Sequence, residues 1–106
     1  MLTYEQALEK AKAFLATIET SPGVVLEIIE PSVEDHGFGW IFPYNTAEYL
    51  RTGTLQSALV GTQPLLVDKR NGNVMQTTSA GRDKWLAYYE RHGEVPPPGH
   101  AWRDTV

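Results

Sequence analysis

The sequence predicts an α+β fold with a mostly antiparallel sheet of about four strands in two hairpin-like pairs. An N-terminal and a C-terminal helix are expected to cover one face of this sheet, and a short helix to lie between the strand pairs. Apolar residues recur at helical spacing near both ends of the chain, and β-branched and aromatic residues concentrate between them. Asn71-Gly72 separates two apolar segments and indicates a hairpin. Strands this close in sequence favour α+β over an alternating α/β fold.

Length and composition narrow the class of protein. The 106 residues suffice for one domain over residues 1–93, followed by a Pro-rich extended tail over residues 94–106. The chain has no cysteine, which excludes disulfides and favours a cytoplasmic location. It shows no signal-peptide pattern and no apolar run of membrane-spanning length. A net charge of −4 with scattered Lys and Arg argues against nucleic acid and allows a basic partner.

The N-terminal helix is predicted from Thr3 to about Ile18, because Thr3 and Gln6 have the spacing of a capping box. Its buried face is expected to comprise Leu8, Ala11, Leu15 and Ile18. The β-branched segment from Val24 to Glu30 predicts the first strand, which Pro31 ends.

The second strand is predicted from Gly37 to Tyr44. Alternation would place Phe38, Trp40, Phe42 and Tyr44 on one face, and Gly39, Ile41 and Pro43 on the other. Pro43 indicates an edge or a strand end. The aromatic face could be a platform for stacking single-stranded nucleic acid, but the acidic charge of the chain favours core packing against the helices.

Two further helices and a pair of strands are predicted in the second half of the chain. Asn45 or Thr46 can cap a short helix that Gly53 closes. The segments 65–68 and 74–77 are predicted to pair across Asn71-Gly72, and Asp68 to bond the amides of that turn. A final helix is predicted over 82–92, with Trp85, Leu86 and Tyr89 on one face.

No arrangement typical of catalysis is present. The histidines His36, His92 and His100 lack ligand spacing, so neither a metal nor a catalytic site is predicted. Gly37-Phe38-Gly39 lacks the third glycine and the helix that a phosphate loop needs, and no cofactor is expected. Ser57 and Ser79 have no context that would make either of them a nucleophile.

Several short motifs occur in a defined order over residues 2–90. They are Leu2-Thr3-Tyr4-Glu5-Gln6-Ala7, Gly39-Trp40-x-Phe42, Tyr49-Leu50-x-Thr52-Gly53, Gly61-x-x-Pro64 and Val67-Asp68-Lys69-x-x-Gly72. Together they resemble the immunity protein 35 family, also called the YrhB-like domain. The resemblance implies a small cytosolic α+β protein, and not an enzyme, that binds and occludes a cognate toxin of a bacterial polymorphic toxin system. One branch of the family is described as chaperone-like, so the alternative is a holdase that binds unfolded polypeptides.

Residue roles follow from the resemblance and from expected exposure. Structural roles are expected for Gly39, Trp40, Phe42, Gly53, Gly61, Pro64, Asp68 and Gly72. Candidate contacts with the toxin are the loop residues Glu34, Asp35 and His36, the short-helix residues Glu48 and Arg51, and the hairpin residues Lys69, Arg70 and Asn71. Such an interface would cover about 800 Å² on each partner. The chain itself is expected to be a monomer or a weak homodimer.

Overall fold

The computed structural model of the chain describes residues 2–59, 62–78 and 82–95, and it confirms the α+β fold. Its helices are α1 (Tyr4–Leu15), α2 (Ala47–Thr52) and α3 (Arg82–His92). Its strands are β1 (Leu26–Ile28), β2 (Glu34–Asp35), β3 (Gly39–Phe42), β4 (Tyr44–Thr46), β5 (Leu65–Asp68) and β6 (Val74–Gln76). They form two antiparallel sheets, one of β1 and β4 and one in the order β2-β3-β5-β6. Within the described residues, no helix combines the length and apolar composition needed to cross a membrane.

Helix α1 begins as predicted and ends earlier. Thr3 Oγ1 accepts a hydrogen bond from the Gln6 N–H, and Gln6 Oε1 accepts one from the Thr3 N–H, which completes the capping box. The helix ends at Leu15 instead of Ile18, because the Ile18 N–H bonds to the Leu15 carbonyl in a tighter turn. The buried face comprises Ala7, Ala11 and Leu15, with Leu8 and Ile18 partly buried beside them.

The two long helices lie on opposite faces of the four-stranded sheet, so the prediction that both cover one face was wrong. The core against α1 contains Trp40, Phe42, Leu65 and Val67. The core against α3 contains Ile41 and Leu66 from the same two strands, together with Trp85, Leu86 and Tyr89 of the helix. Successive side chains of a strand point to opposite faces, and here each face is apolar, so each requires its own cover.

Phe38 was predicted on the face of Trp40 and instead packs in the α3 core. The reason is local, because Phe38 precedes β3 and lies in the turn from β2. The Phe38 N–H bonds to the His36 carbonyl, and the His36 N–H bonds to the Gly39 carbonyl. Strand alternation therefore begins only at Gly39. Tyr44 does share the α1 face with Trp40, as predicted.

Two strand assignments also change. The predicted strand over 24–30 contains only Leu26–Ile28 in regular pairing, and it pairs with β4. Glu34 and Asp35, predicted in a loop, form the short strand β2 against Ile41 and Trp40 of β3.

The hairpin β5–β6 is confirmed, but its connection is longer than a two-residue turn. The Asp68 N–H bonds to the Asn73 carbonyl, and the Gly72 N–H bonds to the Asp68 carbonyl. Gly72 has a φ of +74°, whereas no described residue other than glycine has a positive φ, so Asn71 does not adopt the left-handed conformation of a two-residue Asn-Gly turn. The Asn71 side chain instead accepts a bond from the Asn73 N–H.

The remaining elements follow the prediction. Thr46 caps α2 by accepting a bond from the Tyr49 N–H, and Gly53 ends the helix with a left-handed φ of +73°. Helix α3 has the predicted bounds. Pro64 is buried, and its carbonyl accepts bonds from both the N–H and the hydroxyl of Thr77. Gly61 and the predicted tail from residue 96 onward lie outside the described residues.

Substituting Gly39 tests the close approach of β3 to β5. A Cβ at Gly39 would lie 2.7 Å from the Val67 carbonyl oxygen and 2.9 Å from Leu66 Cδ1. We expect Gly39→Ala to lower the free energy of unfolding by about 3 kcal/mol, because paired backbone cannot move aside. The matched control is Gly23→Ala, where nothing lies within 4 Å and only the positive φ is strained, at about 1 kcal/mol. Urea denaturation measures both, and an equal loss in the two variants would contradict the packing account.

Candidate functional site

Asp68 is the most deeply buried charged group among the described residues, with 0 % of its surface exposed. One carboxylate oxygen accepts bonds from the Arg70 backbone N–H at 2.7 Å and from Arg70 Nε at 3.0 Å. The other accepts bonds from the Arg70 guanidinium and from the Tyr89 hydroxyl, both at 2.8 Å. Asp68 thus bonds a turn amide, as predicted, and also links the β5–β6 hairpin to α3.

These contacts determine the charge state of the Asp68 carboxyl. Burial alone would raise its pKa, but the hydrogen bonds from Arg70 and Tyr89 outweigh burial and hold the pKa of Asp68 below its usual value. Burial, and then the bond to Asp68, raises the pKa of the Tyr89 hydroxyl. The pair therefore remains a carboxylate and a neutral phenol near neutral pH. This is a cross-link of the fold and offers no proton for chemistry.

Glu34 and His36 form a second cluster with Arg82 at the same end of the sheet. Glu34 Oε1 lies 2.8 Å from His36 Nε2, and Glu34 Oε2 accepts a bond from Arg82 at 3.1 Å. The bond with His36, despite partial burial and aided by Arg82, lowers the pKa of the Glu34 carboxyl. The predicted contact residues Glu34 and His36 are thus bonded to each other, and Glu34 is also bonded to α3.

The third group joins β2 to the hairpin. Lys69 Nζ donates to Asp35 Oδ1 at 2.8 Å, and this bond lowers the pKa of the Asp35 carboxyl. The same ammonium lies 4.3 Å from the centre of the Trp40 ring. Only 14 % of the Lys69 side chain is exposed. Arg70 lies over Phe38 in a similar way, 5.5 Å from the ring centre.

The structure therefore places five predicted contact residues around β2 and the start of the hairpin loop, and it separates Glu48 and Arg51 from them. We use the name charged cluster for Glu34, Asp35, His36, Lys69 and Arg70. Asn71 is exposed at the hairpin tip next to this cluster. Glu48 and Arg51 lie on α2, where they line a different surface groove.

The surface near Glu48 and Arg51 exposes more apolar side chains than the sequence predicted. The two grooves that flank β1 share Val24 and Val25 in their linings. Val25 is 62 % exposed and Val24 is 36 % exposed. Leu59, which is 39 % exposed, lines the groove that contains Glu48 and Arg51. We use the name apolar ridge for Val24, Val25 and Leu59.

The apolar ridge was not predicted, because Val24 and Val25 were interpreted as the first residues of a strand over 24–30. A β-branched pair directly after a Ser-Pro-Gly turn has the same pattern whether a strand is covered or open. The position of Leu59 depends on long-range bonds, since its N–H donates to the Asn45 side chain at 2.8 Å. No local pattern in the sequence reports that contact.

The described residues contain no group of three His, Cys, Asp or Glu side chains that could hold a metal ion. Each carboxylate of the charged cluster bonds a cation of this chain, and the apolar ridge carries no titratable group. The arrangement is suited to contact with another polypeptide.

Comparison with known proteins gives a match to one family and to one curated protein of similar length. The model of the family described as immunity protein 35 matches residues 5–91. A protein of Escherichia coli strain K12 described as "Uncharacterized protein YrhB" is 29 % identical over 94 residues, which cover 85 % of this chain and 90 % of that protein. No solved structure matches the chain.

The Asp68 cross-link has a testable dependence on pH. Because the pKa of Asp68 is lower in the folded protein than in the unfolded chain, its stabilisation is complete above the unfolded pKa of about 3.9. It is lost as the pH falls through the lower folded value. We expect Asp68→Asn to lower the free energy of unfolding by about 2 kcal/mol at pH 7, and by less at acidic pH.

Urea denaturation between pH 7 and pH 3 measures this difference. The control is Asp83→Asn, a change of the same chemistry at an exposed residue of α3. A stability difference between the parent protein and Asp68→Asn that stays constant across this pH range would contradict the assignment.

Proposed function

The chain belongs to the immunity protein 35 family, and from this membership we propose that it is a cytoplasmic immunity protein that neutralises a cognate bacterial toxin. It does so by binding the toxin and covering its functional surface, without catalysis and without a cofactor. The family match carries the proposal, and the surface chemistry of the chain supports it.

The apolar ridge has the composition of an interface centre. Protein interfaces have an apolar centre that excludes water and a polar rim that fixes orientation. Val24 and Val25 would form the centre, while Glu48 and Arg51 line the adjoining groove at its rim. Contiguous exposed apolar side chains that are rimmed by polar residues are typical of contact sites on protein surfaces. We propose the apolar ridge, with Glu48 and Arg51, as the toxin-binding surface.

The charge distribution supports a basic partner. Residues 13–50 contain six acidic residues and neither Lys nor Arg. In the described part of the chain, Glu27 and Glu48 of this segment form no ion pair, so their charges act on the surroundings. Long-range attraction between opposite charges accelerates association.

The charged cluster serves the fold in this proposal. A side chain that already bonds within its own chain must break that bond to contact a partner, which reduces the net gain. Lys69 and Arg70 each bond an acidic residue and lie over an aromatic ring. We therefore assign these residues to scaffold maintenance, although Asp35 and Arg70, like Asn71 beside them, remain exposed to solvent.

The proposal is tested by expressing the chain with the product of the adjacent gene in a host that the product kills. We expect growth to be restored and the two proteins to purify together at equal stoichiometry. A chain that purifies with many unfolded polypeptides, and does not restore growth, would favour the holdase alternative. A dye that fluoresces on apolar surfaces gives a second readout, because a holdase needs a larger exposed apolar patch than the ridge provides.

Charge reversal at the rim should slow binding. We expect Glu48→Lys to lower the association rate constant for the co-purified toxin by about tenfold at low salt, and by less at high salt. The control is Glu90→Lys, an equal change of charge on an exposed residue of α3. Surface plasmon resonance measures both rates. Equal slowing by the two variants would show that overall charge matters and that the α2 surface does not.

A further inference from the structure

Strand β1 has one edge paired with β4 and one edge open. The Ala47 N–H donates to the Val25 carbonyl at 2.8 Å, and the Ile29 N–H donates to the Pro43 carbonyl at 2.9 Å. In an antiparallel ladder the residues that bond to a given neighbour alternate along the strand. Val25, Glu27 and Ile29 therefore bond toward β4. The backbone N–H and C=O groups of Leu26 and Ile28 point to the other side.

The open edge borders a groove between β1 and the C-terminal end of α1. Lys12, Leu15 and Ile18 line it on the helix side, and Leu26, Glu27 and Ile28 line it on the strand side. A helix beside an exposed strand edge, with apolar residues between them, is the arrangement in which an extended peptide adds to a sheet. The peptide backbone bonds the strand, and its alternate side chains enter the groove.

The outer side of β4 and the edge strand β2 are each protected. The outer side of β4 is covered by the segment over residues 57–59, where the Asn45 side chain bonds both the N–H and the carbonyl of Leu59. Thr46 adds a bond to the Ser57 carbonyl at 2.7 Å. The edge strand β2 consists of the charged residues Glu34 and Asp35, which discourage pairing. Among the described residues, strand β1 has no covering segment of this kind, and it carries one charged residue, Glu27.

We propose that β1 receives an extended segment of the toxin as an added strand, with apolar side chains in the groove beside α1 and Lys or Arg flanking them. This inference rests on the proposed function and specifies how the partner binds. The basic flanks follow from the acidic charge on the strand side, because β1 lies within the segment over residues 13–50 that has six acidic residues and no Lys or Arg, whereas Lys12 of the groove lies on the helix side. Glu27, at the centre of β1, is exposed and forms no ion pair in the described part of the chain.

A second copy of this chain fits the edge less well. Pairing β1 with itself over its full length would place Glu27 opposite Glu27 of the other copy, and like charges in that position are destabilising. The strand has only three residues, so few backbone bonds would compensate. A basic apolar segment has no such conflict.

The test uses the full chain and a synthetic heptapeptide of alternating Lys and Val. Amide hydrogen exchange is measured by NMR for the free chain and at saturating peptide. We expect the Leu26 and Ile28 amides to exchange at least about tenfold more slowly with peptide, because their outward N–H groups become bonded. The Glu27 and Ile29 amides should not change, since they already face β4. A heptapeptide of alternating Glu and Val should have no effect.

Two variants separate the groove from overall charge. We expect Val25→Lys to weaken peptide affinity at least about tenfold, because it removes apolar surface and repels the Lys side chains. The matched control Leu55→Lys adds the same charge at an exposed leucine that lines neither groove, and should weaken affinity by less than about threefold. Equal losses in both variants would overturn the proposed site.

Three exchange results would overturn the assigned occupant. Slow exchange of Leu26 and Ile28 in the free chain at low concentration would show that this chain covers its own edge. Slowing that depends on chain concentration would show a second copy there. Absence of peptide-induced slowing would show that the edge does not accept a strand. Rescue from the toxin is measured in a separate experiment. The immunity function can therefore be confirmed when strand addition is contradicted, and strand addition can be confirmed when the immunity function is contradicted.

Discussion

The fold depends on one constraint, which is that strands β3 and β5 are buried on both faces. All residues from Gly39 to Phe42 and from Leu65 to Asp68 are buried. One apolar face would need one covering helix, whereas two apolar faces need two, and α1 and α3 supply them. Gly39 has no side chain because the β5 backbone already occupies the space that a Cβ would fill. The helices, the core and the positions of both ends of the described chain follow from this pair of strands.

Because β5 is buried on both faces, the polar side chain of Asp68 at its end is buried too. Asp68 ends β5 on the α3 face with none of its surface exposed, and an unpaired carboxylate there would be strongly destabilising. Arg70 and Tyr89 compensate for it, and neighbouring ion pairs hold β2 to the hairpin and to α3. Most of the charged residues that sequence reasoning selected for partner contact are occupied by this task. The opposite end, where β1 meets α2, has no ion pair among the described residues and more apolar exposure, which is why we place recognition there.

Sequence reasoning succeeded where the determining interaction is local. The capping box of Thr3 and Gln6, the left-handed Gly53 and the limits of α3 each depend on residues a few positions apart. It failed where a distant contact decides the outcome. Which face of the sheet α3 covers depends on Ile41 and Leu66, and the sequence pattern of α3 is the same for either face.

The same distinction between local and distant contacts applies to the candidate site. The exposure of Glu48 and Arg51 was predictable from a short amphipathic helix, and the structure places both on α2 beside the apolar ridge. The bonding of Glu34, Asp35 and Lys69 was not predictable, because the partners of these side chains come from other elements. The open edge of β1 was also not predictable, since it depends on which residues pair with β4.

Hydrogen–deuterium exchange by mass spectrometry, on this chain alone and in complex with its co-purified partner, tests the central claim most directly. The account predicts that binding slows exchange in peptides that cover residues 18–30 and 47–59, which contain β1, α2 and the apolar ridge. Peptides that contain the charged cluster at 34–36 and 69–71 should exchange at the same rate in both states. Slower exchange confined to the charged cluster, with the β1 and α2 peptides unchanged, would contradict it.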